Sequence, residues 1–592
     1  MDNQRFLLAL VLSGAVLFLW QYLFPPAKPD QANKNGQAVE KTADAGSEGT
    51  DPADDGPPEQ ADGDSDSGDS TASADADAGT SGSEGSAPDE GGSLGEEVLA
   101  DAKPSEDVEI STQTMKSEQL ELKVTNAQSG RITSATILSP EQYSKRGDLL
   151  EAIPEDSGHF PFGVRIMDRE RSITGGAAYT FQKDASETDS EGNYTSLVYR
   201  YDDPKGRYTI EKVFDFTGET PFMVKMDVTV TNHMEDRTLG DTAVVDMYGY
   251  KDPNEETSFL NFRPNDVSGA CKMADSTERS SISGIESPLR YDKSMVRWGA
   301  IDTRYFMWAT IPAEGATACD IEKVDKNYLR TRLTFGEFEV GPGATRTLEQ
   351  ELFLGPKDVD MLKEAGHELT SSVDFGFLSF LAWPLHWSLS KIHNYVGNWG
   401  LAIILLTILI KLLTWPINMS AYRNMNDMKE IQPKLEELRD KYEDDRQKMT
   451  EETMKLFQEN DVSPMGGCLP MLLQMPILYA LYIMIYNSVE LYEADFFLWY
   501  TNLAAPDPFY VLPVLMGVVM YGQQGMMGSP GNSTQAQIMT KVMPVMFTAF
   551  MLFLPSGLVL YYSMNLAIGL SQQLYIRGWG DDDDEEPEVA TA

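Results

Sequence analysis

Apolar positions along this chain follow three successive rhythms. Phe6 to Phe24 is a run of nineteen residues, interrupted by polar side chains only at Ser13 and Gln21. At a rise of about 1.5 Å per residue, such a run crosses a hydrocarbon layer of about 30 Å. Trp20 and Tyr22 lead into Pro25-Pro26 rather than a small-residue cleavage site, so residues 1–26 read as a retained anchor. Between 27 and 108 the rhythm disappears, and the segment holds no aromatic residue and no isoleucine. It cannot bury enough apolar surface to offset the entropy of ordering, which predicts a disordered acidic linker.

Residues 109–370 alternate instead. Leu120-Glu121-Leu122-Lys123-Val124 and the stretch from Phe222 to Val230 place apolar side chains at every second position. Turn residues separate such runs, as in Asp203-Pro204-Lys205-Gly206 and Thr217-Gly218-Glu219-Thr220-Pro221. Short period-two strands between turns predict an antiparallel β-sandwich. Residues 371–397 are aromatic, carry His386, Lys391 and His393, and are broken by Pro384; they predict an amphipathic helix lying in a membrane interface. Five apolar runs follow, near 398–419, 468–488, 508–524, 539–554 and 557–577. The last two, parted by Pro555-Ser556-Gly557, are expected to form a tight hairpin. The fold class is therefore an α-helical membrane bundle of six transmembrane helices plus an antiparallel β-sandwich domain.

Loop charge orients this bundle. Arg423, Lys429, Lys434, Arg439, Lys441, Arg446, Lys448 and Lys455 lie between 421 and 463, whereas 489–507 has no lysine or arginine. The first loop is thus cytoplasmic, with both termini on its side and the sandwich outside. Within it Met425, Met428, Ile431, Leu435, Leu438 and Tyr442 recur at spacings of three and four. A second stretch carries Met449, Met454, Leu456 and Phe457, so the two predict a helical hairpin over 421–463, packed on itself with charged outer faces. Thirteen methionines between Met465 and Met564 either fill the bundle or offer a pliable apolar lining.

Composition narrows the chemistry. A net charge of −45 argues against DNA or any nucleic acid as a direct partner of the chain as a whole. Cys271 and Cys319 fall in the same extracytoplasmic domain and either pair or stand as separate buried thiols; Cys468 reads as a small packing residue. None of the five histidines lies beyond His393, and no phosphate-binding loop is present. No cofactor, no metal and no catalytic group is expected, and the protein is not expected to be an enzyme.

Lys411 breaks the hydropathy pattern. It lies within LAIILLTILIKLLTWP, about eight residues or roughly 12 Å from the cytoplasmic end of its run. A lysine at mid-helix costs about 2.5–3.5 kcal/mol on insertion scales. No Asp or Glu occurs in the other four downstream runs, so either the side chain reaches back to the headgroups or it faces a hydrophilic recess. Thr407 shares its face one turn earlier, and Gln474, Ser563, Asn565 and Gln572 interrupt the other runs. Singly these read as interhelical hydrogen-bond glue; with a charge they suggest a wet groove.

Four stretches carry a resemblance to a known family: Asn398-Trp399-Gly400-Leu401, Pro464 to Pro470 (PMGGCLP), Gln474-Met475-Pro476-Ile477, and Leu554 to Tyr562 (LPSGLVLYY). With Gln572-Gln573, and with Trp298 to Pro312 in the sandwich, they resemble the YidC membrane protein insertase family. That resemblance implies a five-helix insertase core over 398–578, a periplasmic β-supersandwich over 109–370, and a cell inner membrane location. It implies a substrate groove centred on Lys411, with Thr407, Gln474, Asn565, Tyr561 and Tyr562. Implied partners are nascent membrane proteins, the phospholipid bilayer, the Sec translocon and the ribosome. The family usually has arginine where Lys411 stands, so the charge is kept but the bidentate fork is lost. The chain ends in the acidic tail 579–592 rather than a basic one, which leaves Arg423, Lys429, Lys434 and Arg439 of the hairpin as the ribosome contacts. Two rival readings are a small-anion transporter or channel using Lys411 and a membrane-tethered carbohydrate-binding or carbohydrate-active protein. The first predicts internal repeats and broken paired helices, and the second a cleft of paired carboxylates.

Overall fold

The computed structural model describes residues 108–580 except 146, 151–158, 160, 170, 175, 217–219, 254–266, 443–444, 461, 463–468 and 528–540. The described residues belong to one unit, Glu96–Ala592. The expected anchor, the acidic linker up to residue 107 and the acidic tail beyond residue 580 lie outside the described residues, as does Cys468.

Alternation in sequence becomes strands in three antiparallel sheets. Strands β1 (Thr112–Lys116), β2 (Leu120–Thr125) and β3 (Arg131–Ile137) form the first. The chain continues through β4 (Gly163–Asp168), β5 (Arg171–Ser172), β6 (Thr180–Phe181), β7 (Ser196–Asp202), β8 (Tyr208–Asp215), β9 (Met223–Asn232) and β10 (Thr242–Tyr250). It then runs through β11 (Ser268–Met273), β12 (Thr277–Ser281), β13 (Leu289–Tyr291) and β14 (Val296–Asp302). Last come β15 (Phe306–Pro312), β16 (Ala318–Lys323), β17 (Tyr328–Glu337) and β18 (Thr345–Pro356). A six-stranded sheet has the order β13-β16-β17-β10-β4-β5, and a nine-stranded sheet the order β12-β11-β14-β15-β18-β9-β8-β7-β6.

The expected faces are the ones buried. In β9, Val224, Met226, Val228 and Val230 are buried while Lys225, Asp227 and Thr229 turn outward. Asp203 to Gly206 makes the turn between β7 and β8, closed by the Gly206 N–H on the Asp203 carbonyl at 2.7 Å. The two large sheets approach closely over glycines: a Cβ on Gly299 of β14 would lie 2.8 Å from Leu333 of β17, and one on Gly269 of β11 2.5 Å from Ile321 of β16. Beside this contact Cys271 of β11 and Cys319 of β16 are joined by a disulfide, so of the two readings left open, pairing is the one adopted. Closing a 48-residue loop in this way stabilises a fold by about 4 kcal/mol on the chain-entropy account.

Helices follow the sandwich. They are α1 (Val359–Ala365), α2 (Ser379–Val396), α3 (Trp399–Lys441) and α4 (Arg446–Glu459), then α5 (Leu469–Asn487), α6 (Val511–Met527), α7 (Met543–Met551) and α8 (Ser556–Gly580). Gly397, in the left-handed region at φ 67°, ends α2, and the Asn398 side chain starts α3 by accepting from the Leu401 N–H at 2.9 Å. Helix α2 is two-faced, with Ala382, His386 and Leu389 buried and Phe380, Trp387 and Tyr395 exposed.

Three expectations change. The run 398–419 does not end where its apolarity ends; α3 continues for 43 residues, through Pro416 and Pro433, and becomes the first arm of the hairpin itself. The apolar stripe holds, because Ile431 is buried and Met428, Leu435 and Leu438 are half-buried, but Met454 of the second arm is exposed. The last two runs form no tight hairpin: α7 packs on α6, where Thr548 fills the space over Gly517, and meets α8 through the rings of Phe547 and Tyr562 at 5.0 Å. The count of six spans is not established either. Among the described residues one helix, Trp399–Met428, is long and apolar enough to cross a membrane, while Leu473–Asn487 and Val511–Gln524 are apolar but shorter. In α8 the polar residues Ser563, Asn565, Ser571, Gln572 and Gln573 lower the mean hydropathy of a helix of sufficient length.

Candidate functional site: a polar seam under a docked loop

Two of the family-like stretches, Asn398 to Leu401 and Leu554 to Tyr562, form joints with one loop, while residues 464–468 of a third lie outside the described residues. Loop 489–507 lies over the N-terminal ends of α3 and α8. Asn398 donates from Nδ2 to the carbonyls of Asp495, 3.2 Å, and Phe496, 3.3 Å. Gly400 has no Cβ because one would run into the Phe496 ring, and Trp399 stacks on His393 with centroids 3.8 Å apart. At α8, the Ser556 and Gly557 N–H groups donate to the carbonyls of Ala505 and Leu503 at 2.7 and 2.9 Å. A Cβ on Gly557 would sit 3.1 Å from the Leu503 carbonyl oxygen. Asp507 caps α6 by accepting from the N–H groups of Phe509 and Leu512. Three helices therefore start from one loop and run in the same direction.

Below that loop a seam of polar residues runs down α3. Thr407, Lys411, Thr414, Asn418 and Tyr422 follow at spacings of four, three, four and four, all on one face. Thr407 is 1% exposed and donates to the Ile403 carbonyl at 2.7 Å; Asn418 donates to the Thr414 hydroxyl at 3.2 Å. The opposite face is greasy, with Leu409, Leu412 and Leu413 exposed, the last at 72%. Such a face suits lipid.

Helix α8 presents a matching seam of Tyr561, Asn565, Gly569 and Gln572, all buried. Lys411 meets it at Gly569. A Cβ at that position would lie 3.8 Å from Lys411 Nζ, 3.3 Å from Tyr422 Oη and 3.4 Å from Gln523 Nε2 of α6. An ammonium, a phenol and an amide thus converge from two helices over the bare backbone of a third, about 18 Å below the loop at 1.5 Å per residue. Among the described residues no carboxylate forms an ion pair with Lys411, and no group of three or more His, Cys, Asp or Glu could hold a metal. Asn565 Oδ1, Gln572 Oε1 and both amide atoms of Gln573 are buried without a hydrogen-bond partner among the described residues, a costly state for polar atoms.

Of the expected groove residues, Thr407, Lys411, Tyr561 and Asn565 lie along the seam. Gln474 of α5 donates to the Tyr561 hydroxyl, tying α5 to α8, and the Thr407 hydroxyl is spent on its own helix. Tyr562 packs on Phe547 of α7. Tyr422, Gln523 and Gly569 were not singled out by the sequence reading. Tyr422 was within reach of it, being eleven residues, or three turns, beyond Lys411; Gln523 and Gly569 depend on how helices pack. On the hairpin, Arg423, Lys434 and Arg439 are exposed, and Lys429 lies on the same helix α3.

Two family models divide the chain. Residues 112–388 match the YidC periplasmic domain and residues 391–583 match the family described as 60Kd inner membrane protein. A membrane protein insertase YidC from Geobacter sulfurreducens is 35% identical over 65% of this chain and 71% of its own. The insertase of that name from Syntrophus aciditrophicus is 33% identical over 97% of this chain and 99% of its own. A crystal structure titled as an active YidC insertase with its first transmembrane domain resolved is 18% identical, covers 81% of this chain and 96% of its own, and has a TM-score of 0.37. Neither rival reading, transporter or carbohydrate protein, finds support among the insertase relatives. With a relative matched from end to end and both halves accounted for, the chain belongs to the YidC family of membrane protein insertases.

Proposed function

We propose that this inner-membrane insertase works by lending the seam between α3, α6 and α8 to the hydrophilic part of an incoming chain. Carrying a polar segment into hydrocarbon fails on the cost of desolvating its backbone and charged groups. A hydrated notch reaching mid-depth shortens the low-dielectric path. Lys411 attracts acidic residues of the passing segment, and Tyr422, Gln523, Asn565 and Gln572 exchange hydrogen bonds with its backbone. The apolar helix of the client leaves along the greasy face of α3. No covalent step is needed. The single observation behind this reading is the convergence of Lys411, Tyr422 and Gln523 over Gly569, with no acid among the described residues set against the ammonium.

In this reading the chain has six spans in all, five of them forming the core, with the sandwich periplasmic and both termini cytoplasmic. Nascent membrane proteins and the bilayer are the partners, with the Sec translocon beside the bundle. The ribosome meets Arg423, Lys429, Lys434 and Arg439 of the hairpin rather than the acidic tail. Reconstitution into proteoliposomes with a small single-span test protein checks the centre of the scheme. Lys411→Arg should insert as the native protein does and Lys411→Glu should fail; equal insertion by the Glu variant would overturn it.

A further inference from the structure

The sandwich and the helical core meet around one buried carboxylate. Glu490, 6% exposed, lies in the loop after α5. Its Oε1 is 3.1 Å from Nε2 of His386, a buried residue of α2, and accepts from the Val359 N–H of α1 at 3.3 Å. The Glu490 backbone carbonyl accepts from Gln142 Nε2 of the sandwich at 2.9 Å. One step further, Asp358 caps α1 and accepts from the Tyr143 hydroxyl at 2.8 Å. Oε2 of Glu490 is buried without a hydrogen-bond partner among the described groups. Glu490 therefore touches the sandwich, the interfacial helix and the loop at once, and that loop is the one holding the N-termini of α3 and α8.

Resting on the insertase reading, we propose that Glu490 and His386 are positioning residues, a proton-sensitive joint through which the β-sandwich holds the 489–507 loop in place over the polar seam. Neither touches the seam; they act through the loop. The groups facing His386 are Glu490 from the loop, and Asp358 and Lys363 from the α1 end of the sandwich. Tyr143 adjoins Asp358, and His393 lies further along α2. Burial alone would lower the His386 pKa, but the hydrogen bond and charge of Glu490, with Asp358 beyond, raise it above its ordinary value. Burial and the neighbouring Glu490 raise the Asp358 carboxyl as well.

Both shifts act in one direction. A histidine whose folded pKa is raised contributes fully below its unfolded value, and that contribution is lost as pH climbs through the folded one. The joint is tight in mild acid and loosens above neutrality.

The test uses the full chain in proteoliposomes, with spin labels at Lys326→Cys on the sandwich and Phe497→Cys on the loop, in a Cys468→Ser background. The distance distribution should be narrow at pH 6 and broad at pH 8.5, and insertion of the test protein should fall about fivefold over the same range. His386→Gln and Glu490→Gln should each remove both pH responses. Gln142→Ala, which removes no titratable group, should lower insertion equally at each pH. Distances that respond to pH alike in the native protein and both titratable variants overturn the proposal, as does pH-independent insertion beside pH-dependent distances. Because the distances are read without any client, they test the joint separately from the insertase reading.

Discussion

Two lysines, one fully buried in the sandwich and one half-buried in the helical bundle, have no carboxylate partner among the described residues. Lys212, on β8 of the sandwich, is 1% exposed; it donates to the carbonyls of Gly130 at 2.7 Å and Phe162 at 3.3 Å, and lies over the Phe214 ring. Its surroundings are closed, and burial, with Arg131 nearby, pushes its pKa down to about 7. Lys411 has a phenol and an amide beside it and a glycine beneath it. The Lys212 amine is spent on the protein's own backbone, whereas Lys411 has only polar side chains for company. The contrast extends to paired charges. In the sandwich Asp302 is bound by Arg279 and Lys357, and Asp246 by Arg165 and Arg332, whereas among the described residues no acid is set against the cation of the seam. A charge drawn partly out of water and left unpaired costs stability, and Lys411 carries that cost where the sandwich avoids it.

The largest effects should come from reversing or crowding the seam. Lys411→Glu is expected to reduce insertion at least about a hundredfold, since a repelled acidic segment and a newly buried carboxylate act together. Gly569→Leu should reduce it about tenfold by driving Lys411, Tyr422 and Gln523 off α8, with Gly569→Ala intermediate. None of these three changes touches the sandwich, so the thermal unfolding of that domain should be unaltered. Insertion rates and domain melting, read side by side, would break the comparison if the two moved together.

The disulfide offers the reverse experiment. Cys271→Ala with Cys319→Ala should lower sandwich stability by about 4 kcal/mol, seen as a shifted denaturant midpoint, while insertion per folded molecule stays within about twofold.

How much of this was readable in the sequence differs between the halves. The alternation in β2 and β9 states which side chains are inside, because a period of two is a local property of the chain. Sheet order is not local: β18 pairs with β9 across more than a hundred residues, and the Cys271–Cys319 bridge depends on which sheets face each other. Lys411 stood out because a charge in an apolar run is a one-dimensional anomaly. Gly569 did not, since a glycine in a membrane helix means nothing until its neighbour is known. The Glu490–His386 contact joins residues 104 apart and carries no periodic signature. The length of α3 was misjudged because apolarity ends near residue 419, whereas backbone hydrogen bonding continues through charged but helix-favouring residues.

The smallest expected effect sharpens the comparison most. Lys212 titrates near 7 in the folded sandwich and near 10.4 in an unfolded chain. Between those values the unfolded state holds a proton that the folded state has released, so stability must rise with pH, by up to about 1.4 kcal/mol per unit. Below pH 7 both states are protonated and the contribution is flat. Above about pH 10 the trend reverses: burial raises the hydroxyl pKa values of Tyr179, Tyr199 and Tyr208, so the folded state then keeps protons that the unfolded state loses. The clean window is roughly pH 7.5–9.5. Urea unfolding of the sandwich across it should show the native protein gaining stability and Lys212→Met gaining less, with insertion unchanged by the substitution. A slope identical in the two would mean that Lys212 keeps its proton at high pH, and that its two carbonyls serve it as a charge site rather than as partners of a neutral amine.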